Sequence, residues 1–140
     1  IGDSQLRELY SFNSRRKEIV SFYMDRLAGA KGIILPKPAP WEHIHSWHIF
    51  TPFVDTDCLG MSRDDFMSEM KKRNIGTALH YQAVHLFTCF SHATGLGRGS
   101  LPEAEYVSDR IVSLPLFPAM TDRDAQDVVD AVFEVCGKKN

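Results

Sequence analysis

Apolar positions along the chain fall into four helical stripes and three short extended runs. The clearest stripe closes the sequence. Ala125, Val128, Val129, Val132 and Cys136 recur at helical spacing, Thr121 is placed to cap the helix, and Gly137 to stop it. The longest stripe opens the sequence, from about Asp3 to Leu27. There Leu6, Leu9, Asn13, Val20, Tyr23 and Leu27 share a face, Arg15, Arg16, Lys17 and Glu18 cluster mid-helix, and Gly29 and Gly32 end it. A third helix starts at Ser62, with Asp65 three positions on as a capping-box partner. Phe66 and Met70 form its apolar face, and Lys71, Lys72 and Arg73 complement the dipole in its last turn. Pro102 suits the first turn of a fourth helix, whose apolar stripe is Ala104, Val107 and Ile111.

The extended runs are bounded by glycine and proline. Ser46 to Asp55, SWHIFTPFVD, is rich in aromatic and β-branched residues. Pro52 lies inside it and has no N–H for a ladder, which predicts an edge strand or a bulge. Asp55 to Gly60 reads as a turn, Ile75 to Tyr81 as a second strand, and SLPLF from Ser113 as a short strand-like piece. ILPKPAPW is extended by its prolines, and SHATGLGRGS from Ser91 to Ser100 is a glycine-rich surface loop. The pattern predicts an α+β fold: a small, mainly antiparallel sheet with helices on one face, led by a long N-terminal helix. Residues 1–140 are one domain's worth.

Composition narrows the function classes. A hydrophobic share of 44% is enough to build a core, and a formal charge of −2 gives no reason to expect nucleic acid or an anionic membrane. The apolar runs are too short to span a bilayer. The polar opening IGDSQLREL is unlike a signal peptide, and its lack of a methionine fits an excised or processed piece. Cys58, Cys89 and Cys136 lie far apart with no CxxC, which fits free thiols in a reducing, cytoplasmic setting.

The candidate chemistry gathers in one place. His80, Tyr81 and His85 follow the second strand, and two imidazoles and a phenol can donate and accept hydrogen bonds toward a hydroxyl-rich ligand. The structural alternative is a hydrogen-bonded histidine and a packed tyrosine at a sheet end. His43, His45 and His48 invite a metal, but only Glu42 stands near to complete a ligand set, so no metal is expected. Leu96 to Gly99, LGRG, lacks both GxGxxG and a Walker lysine and reads as a plain loop. GxSxG and HExxH are absent, and no catalytic residue is assigned.

Two blocks, MSRDDFMSEMKKRNIGTALHYQAVH from Met61 and SLPLFPAMTDRDAQDVVDAVFEV from Ser113, resemble the C-terminal part of the DegT/StrS family. These are pyridoxal-phosphate-dependent aminotransferases of nucleotide-linked keto-sugars. The resemblance covers nearly the whole chain and implies the small domain of a fold-type-I enzyme. HYQAVHLF departs from the commoner pattern of HY, proline, and a histidine two residues later, and is more like the enzymes that make 4-amino-4-deoxy-arabinose. It implies that His80, Tyr81 and His85 border the substrate site. It also implies an amino-acid donor, glutamate by resemblance, a nucleotide-linked keto-sugar acceptor, and a homodimer. The family's cofactor-binding lysine lies upstream, in the large domain. The lysines are helical, terminal or in the proline stretch and none stands in a Ser-x-x-x-Lys-type cofactor setting, so pyridoxal phosphate is expected in the full-length enzyme and not bound covalently by this chain. A free-standing ligand-binding, regulatory or dimerisation domain of the same fold remains the alternative. The sequence preceding Ile1 discriminates between them.

Overall fold

The computed structural model describes residues 2–137. The opening stripe forms two helices, α1 (Gly2–Arg7) and α2 (Leu9–Leu27), interrupted at Glu8. Only the second half of α2 is buried, through Ile19, Val20, Tyr23 and Leu27. Leu6 and Leu9, expected on the inner face, are exposed. The reason is reach: α1 buries no side chain, and α2 meets its main partner, α7 (Asp122–Gly137), only farther along.

The sheet is small and antiparallel. Strand β1 (Ile33–Ile34) pairs with β2 (Phe53–Val54), Ile33 opposite Val54. Gly32 enters β1 at φ +81°, and a Cβ there would lie 2.3 Å from the Leu59 side chain, so only glycine fits. Isolated bridges extend the ladder: Phe50 with Leu114, Phe53 with Ile111, and Ala78 with Ser113. The segment 50–54 therefore lies between β1 and 111–114 and not at an edge, one of the two arrangements, edge or bulge, that Pro52 suggested. Pro52 meets the ladder as an acceptor, its carbonyl taking the Val112 N–H at 3.1 Å, and so fits where a donor is not required. The strand expected over Ile75 to Tyr81 contracts to the single bridge at Ala78, where the N–H and C=O groups of Ala78 and Ser113 pair at 3.1 and 2.8 Å. The expected turn at 55–60 is a one-turn helix, α3 (Thr56–Leu59), capped by the Asp55 side chain and closed by left-handed Gly60.

Helix α4 (Arg63–Lys72) starts at Ser62 with the expected capping box to Asp65 and buries Phe66 and Met70. In α7 the expected stripe is buried and widened by Ala131 and Val135, while Cys136 is half-buried. Thr121 and Asp124 exchange cap hydrogen bonds at its start. The stop expected after Gly137 lies outside the described residues. Helices α2, α4 and α7 cover the face of the sheet that carries Phe50, Val54, Val112 and Leu114, and all of these belong to one buried cluster. On the other face Phe53 meets Tyr106 of α6 (Pro102–Arg110), ring centroids 6.3 Å apart. A helix not foreseen in the sequence, α5 (Thr88–Thr94), takes up the first four residues of the loop expected over Ser91 to Ser100 and is closed by left-handed Gly95.

Candidate functional site

The segment from His80 to Phe87 leaves the sheet and runs along α6, held at three points. His80 Nδ1 lies 2.7 Å from Ser113 Oγ. The Ala83 N–H donates to Ser108 Oγ at 2.9 Å. His85 Nε2 lies 3.0 Å from Glu105 Oε1. Between these points Tyr81, Gln82 and Val84 face outward. Tyr81 is 73% exposed, with its ring edge-on to His80 at 4.9 Å. The His80–Tyr81 peptide is cis.

The three candidate residues are thus close in sequence but unlike in environment. Tyr81 presents its phenol to solvent, and His80 is half-buried behind it. His85 is 6% exposed and turned toward α6. Its partner Glu105 is equally buried and is hydrogen-bonded by three groups: the Gly99 N–H at 2.9 Å to both oxygens, the Leu101 N–H at 3.2 Å, and His85. Arg98 forms an ion pair with it at 3.6 Å. Chiefly the Gly99 amide, then the His85 hydrogen bond, hold the Glu105 carboxyl down to about 2. An ionised carboxylate only accepts, so the facing His85 Nε2 carries the proton.

Sequence reasoning missed Glu105, Ser108 and Ser113. Of the apolar stripe read for this helix, Ala104, Val107 and Ile111, only Ile111 is buried, just past the end of α6; within the helix the buried residues are Glu105 and Ser108. The inner face of α6 meets polar backbone from 83–101 rather than the apolar cluster, so polar side chains serve it better. The available signal was two hydrogen-bonding residues at i and i+3 opposite a histidine-bearing loop. The LGRG turn is likewise tied down, with Arg98 on Asp109 at 2.7 Å and Gly99 on Glu105.

The histidines at 43–48 do not converge. His43 Nδ1 takes up the Trp41 carbonyl at 2.7 Å, while His45 accepts from the Trp47 N–H at 2.8 Å and stacks on its ring. Among the described residues no group of three His, Cys, Asp or Glu is arranged to hold a metal ion. No described helix is long and apolar enough to cross a membrane. Lys17, Lys31, Lys37, Lys71 and Lys72 are all exposed.

The model of the DegT/DnrJ/EryC1/StrS aminotransferase family matches residues 1–133. An uncharacterized protein of Methanocaldococcus jannaschii, MJ1066, is 37% identical over 136 residues, which are 96% of this chain and 35% of that protein. DesV of S. venezuelae, solved in complex with a ketimine intermediate, superposes with a TM-score of 0.86 at 34% identity, over 99% of this chain and 35% of its own. The aminotransferase TlmJ from Streptoalloteichus hindustanus gives 0.84 at 29%, over 97% and 35%. The chain therefore spans about a third of the length of these relatives. With its sheet, its helical layer and its HYQAVH segment in place, the chain belongs to the DegT/DnrJ/EryC1/StrS aminotransferase family.

Proposed function

We propose that this chain is the C-terminal small domain of a pyridoxal-phosphate-dependent sugar aminotransferase, and that its HYQAVH segment forms the sugar-facing wall of the cleft. The enzyme moves an amino group from an amino acid, glutamate by family resemblance, to a keto carbon of a nucleotide-linked sugar. Its HYQAVHLF segment is more like that of the 4-amino-4-deoxy-arabinose enzymes, and in this reading it works as a homodimer in the cytoplasm. The observation that carries this reading is Tyr81, an exposed phenol on a backbone fastened at three neighbouring points. A ligand-facing group on a rigidly held loop is a binding arrangement.

The described residues do not fit the cofactor. It needs an enclosed lysine, and every described lysine is exposed. In this reading the cofactor and its lysine belong to the large domain, and this chain binds and orients the sugar. Tyr81 hydrogen-bonds a sugar or phosphate oxygen, His80 supports the phenol from behind, and His85 holds the loop and lines its inner side.

Single-turnover kinetics of the two half-reactions in the enzyme that carries this chain test the reading. Tyr81→Phe is expected to slow amino transfer to the keto-sugar while sparing the amino-donor half-reaction, which needs mainly cofactor and lysine. Equal losses in both, or none, would remove Tyr81 from the sugar wall.

A further inference from the structure

Glu105 joins two pieces of chain that are separate in sequence, the HYQAVH segment and the turn that leads into α6. Its carboxylate receives His85 from the HYQAVH segment, Gly99 from the glycine-rich turn, and Leu101 from the residue before α6. A buried carboxylate surrounded by donors stays charged, because protonation would remove an acceptor that several groups share. The low value of its carboxyl, about 2, agrees with that geometry. The consequence falls on His85. With Nε2–H directed at the carboxylate, Nδ1 is the ring's remaining nitrogen, and among the described residues it has no hydrogen-bond partner. A neutral imidazole fixed in this tautomer offers one defined acceptor. Ser108, one helical turn beyond Glu105, secures the backbone two residues earlier at Ala83.

We propose that Glu105 is a positioning residue for the sugar wall: it fixes His85 with Nε2 protonated and Nδ1 free to accept, and it locks the 97–101 turn against that loop. The role rests on the sugar-wall reading above, because it acts by holding the loop that carries Tyr81. Replacing the charge should loosen the loop and randomise the ring rather than abolish chemistry.

Two measurements test this. In the 140-residue chain, imidazole nitrogen shifts should show His85 in a single Nε2–H tautomer, with slow exchange of the Gly99 and Leu101 amides. Glu105→Gln should mix the tautomers and speed exchange at both amides at least tenfold, while the amides of α7 keep their protection. If the Gln variant does not fold, Glu105→Asp, which keeps the charge but retracts it by one methylene, should show the same changes more weakly. In the holoenzyme, Glu105→Gln should raise KM for the nucleotide sugar about tenfold and alter kcat less, with Glu105→Asp recovering part of the loss. An unchanged His85 tautomer and unchanged Gly99 exchange in these variants would overturn the proposal, even if Tyr81→Phe still slows sugar turnover. A silent Tyr81→Phe would instead overturn the sugar wall and leave the Glu105–His85 contact standing on its spectroscopic evidence.

Discussion

At the scale of single residues, neighbours in sequence take different parts. His80, Tyr81 and His85 were legible as a hydrogen-bonding group because the residue types are chemically specific. Their environments were not legible, because each partner is remote: Ser113 is 33 residues from His80, and Glu105 is 20 from His85. Loss of the Tyr81 hydroxyl removes one hydrogen bond to a neutral sugar group, about 0.5–1.5 kcal/mol, or roughly two- to tenfold in sugar turnover. More is expected if phosphate is the partner. Glu105 carries a pH prediction. Its folded value, about 2, lies below the ordinary 4.5. Its contribution is therefore present in full above about 4.5 and is lost as pH falls toward 2. Protection of the Gly99 and Leu101 amides against exchange should persist at pH 6 and decline through that acid range. Protection that instead collapsed between pH 7 and 5.5 would assign the latch to a different group.

At the scale of elements, helices with local signals and a small antiparallel sheet were readable, but the pairings within the sheet were not. Ser62 with Asp65, and Thr121 with Asp124, fix helix starts within four residues, so their partners are visible in the sequence. Replacing Ser62 with alanine should cost about 1 kcal/mol, seen as a lower unfolding midpoint. The ladder depends on pairings such as Phe50 with Leu114, which no local pattern announces. That is why Ile75 to Tyr81, strand-like in composition, keeps one bridge, and why Pro52 could be read only as marking an edge strand or a bulge. Helix α6 shows the same limit in another form: of its stripe only Ile111, just past the last turn, is buried, because the face of the helix turned inward carries Glu105 and Ser108 against polar backbone. Helix α7 is the stronger case for patterning. Val132 is fully buried in its middle. Val132→Ala should cost about 2 kcal/mol through lost methyls and a small cavity. Val132→Asp should cost more than about 3 kcal/mol by burying an unpaired charge. Equal melting temperatures for wild type and the Asp variant would show that α7 faces another way.

At the scale of the whole molecule, one apolar cluster ties the start of the chain to its end. Ile19 and Leu27 from α2, Phe66 and Met70 from α4, and Val128, Val129, Ala131, Val132 and Val135 from α7 belong to it, with Phe50, Val54, Val112 and Leu114 of the sheet. Such a cluster spans the sheet and the three longest helices, α2, α4 and α7, so the chain should unfold in a single cooperative transition. The lysines are placed quite differently. Lys17 lies on α2, Lys31 beside β1, Lys37 in the proline stretch, and Lys71 and Lys72 at the end of α4, all of them exposed. A solvated lysine is protonated at neutral pH and has no enclosure to favour one aldehyde adduct over another. Pyridoxal phosphate added to the chain, then trapped by borohydride reduction, should therefore label several of these lysines weakly and to similar extents. Peptide mapping checks this directly. Stoichiometric labelling of one lysine, saturating at low cofactor concentration, would mean that the chain holds a cofactor site of its own, and the division of labour proposed between it and a large domain would fall.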